Sequence, residues 1–207
     1  MLRSGLLLSA AIICIGCSDV APRSDEIATD ATAAQALWES VDFAHQASDL
    51  PMDEDIIYAT LPNGLRYAVM ENATPSRTAT LLMRVDAGSL DETDSTRGIA
   101  HFLEHMAFNG SENIPEGEMT KRLERLGLSF GADTNASTSF DETIYQLELP
   151  ETTDEMLEEA LFIFRETAEK LTLAPEAIDR ERGVILAEKR ARNSPGYRAA
   201  IDGLRFS

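Results

Sequence analysis

His101 and His105 can grip one cation only if the residues between them are helical, because four positions make roughly one turn and stack side chains on one face. The string His101-Phe102-Leu103-Glu104-His105 therefore predicts a helix before anything else in the chain is read. Apolar Ile99, Phe102, Leu103, Met106 and Phe108 flank it and predict that the helix is half-buried. Two of the chain's 3 histidines stand in this pentapeptide. A solvated surface helix is the plain alternative. Against it, two imidazoles and a carboxylate partly buried without partners would be costly, and a shared metal ion removes that cost. Glu104 lies beside the pair without being needed as a ligand, so its carboxylate is free to take a proton from a metal-activated water, with the Glu-His order reversed relative to H-E-x-x-H.

Composition narrows the choice of metal donors. The 2 cysteines, Cys14 and Cys17, both fall in the amino-terminal leader, which leaves no thiolate cluster or cysteine nucleophile for the folded domain. Any metal is then held by imidazole and carboxylate, with an open position typical of a catalytic rather than a structural zinc site. A serine hydrolase is disfavoured as well, since there is no G-x-S-x-G string and His45 is the one histidine left over.

Residues 1–17 read as a secretory signal: Arg3 is the positive start, an apolar run follows, and Gly16-Cys17 ends it. The run is too short to span a bilayer. Cys14-Ile15-Gly16-Cys17 resembles a bacterial lipobox, which makes Cys17 the expected lipidation site, although Cys14 stands where leucine is usual. Ser18 then favours the outer membrane of a Gram-negative cell, facing the periplasm. Residues 18–54, rich in Ala, Asp, Ser and Thr, read as a tether with a short amphipathic helix around Leu37, Trp38 and Val41, and His45 as a solvated side chain. The formal charge of −18 argues against nucleic acid and anionic lipid as partners, leaving a lipid on Cys17 as the expected membrane link.

Residues 55–207 are expected to form the folded domain. Pro62-Asn63-Gly64 predicts a tight hairpin turn between strands around Ile57 and Tyr67, and residues 78–85 predict a third strand. Residues 118–126 predict a helix ended by Gly127, and 128–149 a strand-like stretch with a turn at 139–142. Thr152 with Glu155 looks like a capping box for a long helix whose buried stripe is Leu157, Ala160, Leu161, Phe164, Ala168 and Leu171. Hairpins interspersed with helices favour an α+β fold with a largely antiparallel sheet.

A last helix over residues 176–192, opened by Pro175, places Glu181 and Glu188 seven apart on one face. Either can complete the metal site. Equally, both can be exposed acids laced to Arg180, Arg182, Lys189, Arg190 and Arg192.

From about residue 61 to 195, the string His101-Phe102-Leu103-Glu104-His105-Met106-Ala107-Phe108-Asn109-Gly110-Ser111, with Glu181-Arg182-Gly183-Val184-Ile185-Leu186-Ala187-Glu188 downstream, resembles the amino-terminal domain of the pitrilysin or insulinase family of zinc peptidases. The resemblance implies one zinc per chain held by His101, His105 and Glu188, with Glu104 as general base and Glu181 behind a histidine, orienting it. It also implies that residues 131–138 are an edge strand on which Asn135 and Ala136 pair with an extended peptide substrate. The implied reaction is hydrolysis of short or unfolded polypeptides by a zinc-activated water, whose proton Glu104 receives and passes to the departing amine. Members of the family close two homologous halves over a chamber, so a second half is the expected partner and this chain, as a fragment, is expected to hydrolyse little alone. A non-catalytic secreted module that keeps its metal or binds a partner is the reading from a different class.

Overall fold

The computed structural model describes residues 42–129 and 134–204. The leader, Cys14, Cys17, most of the expected tether and residues 131–133 of the expected edge strand lie outside these described residues. The fold is α+β with antiparallel sheets, and the chain divides near residue 76 into two compact units.

The smaller unit holds a short 3-10 turn, Ala44–Ala47, and a hairpin of β1 (Ile56–Thr60) and β2 (Arg66–Met70). The hairpin loop is longer than the two-residue turn that Asn63-Gly64 suggests. Leu61 N–H donates to the Leu65 carbonyl and Gly64 N–H to the Leu61 carbonyl, both at 2.8 Å. Gly64 alone of that pair has positive φ, at 89°. This is a turn with Pro62 at its preferred second position followed by a one-residue bulge, which tolerates a right-handed Asn63. His45 packs between Phe43 and Tyr58, its ring centroid 4.3 Å from that of Tyr58.

In the larger unit, β3 (Ala79–Val85), β4 (Thr134–Thr138) and β5 (Thr143–Leu149) form a sheet in the order β3-β5-β4, antiparallel throughout. The register pairs Met83 with Tyr145 on one side of β5 and Ala136 with Tyr145 on the other. After β3 the chain is clamped to the β4–β5 turn: Ser89 and Leu90 donate to the carbonyls of Ser139 and Phe140. Gly88 permits the close approach, since a Cβ there would lie 2.6 Å from the backbone of Phe140 and Asp141.

Five helices are described: α1 (Ile99–Met106), α2 (Glu118–Arg125), α3 (Asp154–Glu169), α4 (Pro175–Arg192) and α5 (Pro195–Leu204). Helix α2 ends as Gly127 predicts. With φ at 77°, Gly127 donates to Glu124 while Leu128 donates back to Leu123, and both leucines are buried in the core. Leu128 therefore belongs to a helix terminus, and the strand expected from there on is described only from Thr134. The core joins Leu147 and Leu149 of β5 to Ile114, Met119, Leu123, Leu128, Ala160 and Ile163, so α2 and α3 cover one face of the sheet.

Two expectations for α3 are corrected. The cap is Thr153, whose hydroxyl accepts from Met156 N–H at 3.2 Å, one residue later than the Thr152 box; Met156 at the third helical position has no acceptor with which to answer. The buried face runs through Ala160, Ile163 and Glu166, whereas Leu161 is 58% exposed and Ala168 is exposed too. Helix α5 follows, in a stretch for which no element was expected: Pro195 opens it and the Ser194 hydroxyl accepts from Tyr197 N–H.

Glu166 is 2% exposed, and its carboxylate organises the loop that follows α1. Ser111 Oγ and Asn113 N–H donate to its Oε2 at 2.6 and 2.9 Å, and Asn113 Nδ2 to its Oε1 at 2.9 Å. Burial alone would raise its pKa, but these donors and nearby Lys170 outweigh it and hold the carboxyl below its usual value of 4.5. Glu166→Ala orphans three donors at once and is expected to destabilise the fold by about 2–4 kcal/mol at neutral pH. A carboxylate with a depressed folded pKa contributes above the unfolded value and loses that contribution as pH falls through the folded one. Denaturant midpoints for parent and variant should accordingly converge below about pH 4.5. A gap that widens on acidification would contradict this.

Candidate metal centre

Helix α1 lacks a Ser, Thr, Asp or Asn at its start, and Gly98 there has φ of 89°. Its free N–H groups are met from a distance: the Glu92 carboxylate accepts from Gly98 N–H at 2.6 Å and Ala100 N–H at 2.9 Å. The negative charge at the positive helix end anchors α1 just before His101. At the other end Met106 and Ala107 are each 1% exposed, while Ile99 and Leu103 stay exposed. The helix is half-buried, with its polar face turned toward α4 and β4.

On that face the Nε2 atoms of His101 and His105 lie 3.2 Å apart, with ring planes at 89°. Oε2 of Glu188, from α4, is 3.5 Å from each. Edges of this length match a tetrahedron around an ion with bonds of about 2.0–2.1 Å, whose ligand-to-ligand edge is about 3.3 Å. Glu188 supplies a further test. Its Oε1 is paired with Arg192 one turn on, but Oε2 is buried and accepts no hydrogen bond. A buried carboxylate oxygen without a proton donor, facing two imidazole nitrogens, is what a cation would satisfy. Imidazole and carboxylate donors without sulfur suit zinc with an open position.

Glu181 stands on the opposite side of His105. Its Oε1 is 2.7 Å from His105 Nδ1, and its Oε2 accepts from Asn109 Nδ2 at 3.2 Å. A carboxylate there makes Nδ1 the protonated nitrogen and directs the Nε2 lone pair toward Glu188 and His101. The seven-residue interval thus puts the two glutamates on one face of α4, as expected, but they meet different nitrogens.

Glu104 reaches toward the sheet instead. Thr138 Oγ1, at the end of β4, donates to its Oε2 at 2.5 Å. Thr143, 5% exposed, holds the strand pair nearby by donating to the Ala87 carbonyl at 3.0 Å. The phenol of Tyr145 is pushed up to about 12, first by burial and then by the charge of Glu104, so it stays protonated at neutral pH. Asn135 and Ala136 sit on β4, which pairs with β5 on one side and has no neighbour on its other edge among the described residues. Sequence reasoning gave no role to Glu92, Asn109 or Thr138, and named Arg192 only among the basic neighbours of the two glutamates. Arg192 had a visible signal, the interval of four from Glu188; the other three contacts join separate elements or long loops.

Comparison with known proteins agrees with this architecture. Residues 67–201 match the family model "Insulinase (Peptidase family M16)". Over 154 residues the chain is 42% identical to "Probable zinc protease PqqL" of Escherichia coli, covering 74% of this chain and 16% of that protein. The Haemophilus influenzae protein of the same description is 41% identical over 151 residues, with 73% and 16% covered. Among solved structures, the first half of the periplasmic protease PqqL from Escherichia coli superposes with a TM-score of 0.71 at 41% identity, covering 74% of this chain and 33% of that one. The chain thus spans about a sixth of the length of these curated relatives. With the family pattern matched over most of its length, the chain belongs to the insulinase family, peptidase family M16.

Proposed function

We propose that this chain is the metal-bearing part of a zinc metallopeptidase that hydrolyses peptide bonds of short or unfolded polypeptides in the bacterial periplasm. The observation that carries the reading is the trio of His101, His105 and Glu188 donor atoms, 3.2–3.5 Å apart around an unpartnered buried oxygen, with the Glu104 carboxylate one residue from His105. His101, His105 and Glu188 would hold the zinc, which when bound would supply Lewis-acid chemistry that lowers the pKa of water and polarises the scissile carbonyl.

The remaining work falls to side chains of this chain. Glu181 takes the Nδ1 proton of His105 as a hydrogen bond and so fixes which nitrogen faces the ion. Glu104 is the general base: with Oε2 held by Thr138, its Oε1 receives the proton and later delivers it to the departing amine. The outer edge of β4 offers main-chain N–H and C=O groups to an extended substrate, with Asn135 and Ala136 at the pairing positions. Selectivity built on main-chain bonds is modest, in keeping with unfolded substrates.

Closure over the substrate is assigned to a second homologous half, since one solved relative is described as the first half of its protease. Periplasmic placement rests on the leader and on the description of that relative as a periplasmic protease. Cys17 is the proposed lipid anchor to the outer membrane, and no helix among the described residues is long and apolar enough to cross a membrane.

Metal removal tests the centre directly. The chain should carry about one zinc after dialysis, release it to a strong chelator and regain it on addition. Zinc at a hundred times its dissociation constant should raise folding stability by about 2.7 kcal/mol, read as a shift in the melting temperature. A chain whose melting ignores both chelator and zinc would sink the proposal. Zinc binding without peptide hydrolysis, once a second half is supplied, would leave a non-catalytic module.

A further inference from the structure

Asn109 lies three residues past the end of α1, with no role assigned to it above, yet its side chain touches the metal centre twice. Its Nδ2 donates to the His105 carbonyl at 3.0 Å and to Glu181 Oε2 at 3.2 Å. Both partners accept only, so the amide nitrogen must face them, and its two hydrogens suffice for both. The His105 carbonyl, one of the last in α1, also accepts from Phe108 N–H at 3.2 Å, and the Asn109 amide is a further donor to it. Glu181, with a side chain 14% exposed, has its other oxygen on His105 Nδ1. The same amide therefore ties the backbone of His105 to the carboxylate that orients the ring of His105.

We infer that Asn109 is a positioning residue of the metal centre, bracketing Glu181 against His105 so that the Nε2 lone pair is aimed before the cation arrives. The inference rests on the metal-centre reading above and deepens it. Without the bracket, Glu181 keeps one hydrogen bond and gains rotational freedom, and a ligand aimed by a mobile partner loses affinity for its ion. Asn109 does not touch the ion and does not take part in proton transfer. Its effect must therefore run through Glu181.

The test is zinc affinity of the full 207-residue chain, measured by competition with a chromophoric chelator, for parent, Asn109→Ala, Glu181→Ala and the double variant. Asn109→Ala is expected to raise the zinc dissociation constant about tenfold, and to add less than about twofold in the Glu181→Ala background. Asn109→Leu, of similar volume but without a donor, should match Asn109→Ala and serves if the alanine variant folds poorly. Parent-like affinity in both Asn109 variants would overturn the inference. So would a tenfold penalty that persists without Glu181, because it would mark general damage to the helix end. His101→Ala is the control for the centre itself: if it binds zinc like the parent, the metal site is misassigned and the bracket falls with it.

Discussion

Glu104→Gln is expected to lower peptide hydrolysis by about 100- to 10,000-fold, with zinc content and melting temperature unchanged. The amide keeps the size of the side chain and can still accept from Thr138 Oγ1, so the contact between α1 and β4 survives. What it loses is the ability to take a proton. Hydrolysis is measured on a fluorogenic peptide in a polypeptide that joins this chain to a homologous second half. Unimpaired turnover by the variant would remove Glu104 from the role of base, while equal loss of zinc would show that it acts as a ligand instead. Thr138 fixes the orientation of the Glu104 carboxylate, since its hydroxyl occupies one of the two oxygens.

The second large effect concerns the two glutamates of α4. Glu188→Gln is expected to weaken zinc binding by at least about 100-fold, beyond the range of about 10- to 100-fold that loss of an outer hydrogen-bond partner causes. Glu181→Gln should fall within that lower range. The difference follows from distance: Glu188 Oε2 faces both Nε2 atoms at 3.5 Å, whereas Glu181 contacts the remote nitrogen of one ring. Direct titration with a competing chelator orders the two variants. The reverse order would exchange the roles of the two residues.

Much of this architecture is local enough to read along the chain. A one-turn interval brings His101 and His105 to one face wherever a helix forms, and here their Nε2 atoms lie 3.2 Å apart. Gly127 ends α2 because a left-handed residue is needed there, and Pro175 opens α4 because its fixed φ suits a first turn. The alternation of hairpin and helix signals likewise gives the α+β class. The expected capping box missed by one residue, since Thr152 and Thr153 are chemically equivalent and only the strand-to-helix path chooses between them. The stripe of α3 drifted for a similar reason. Leu161 counts as apolar on any scale, yet packing against the core and the donors of the 111–113 loop turn Ile163 and Glu166 inward instead.

Local spacing thus determined the helix that carries the histidines and the equal phase of Glu181 and Glu188 on α4, while composition left the sequence after Cys17 without a cysteine. Which glutamate meets Nε2 and which meets Nδ1 was decided only by how α4 packs across α1, with Arg192 and Asn109 each taking one carboxylate oxygen. Thr138 meets Glu104 only because β4 and α1, 34 residues apart at that contact, are packed together. Helical periodicity is a property of the backbone and travels with the sequence, whereas the orientation of one element on another is set by burial summed over the whole core, and no short stretch of chain contains it.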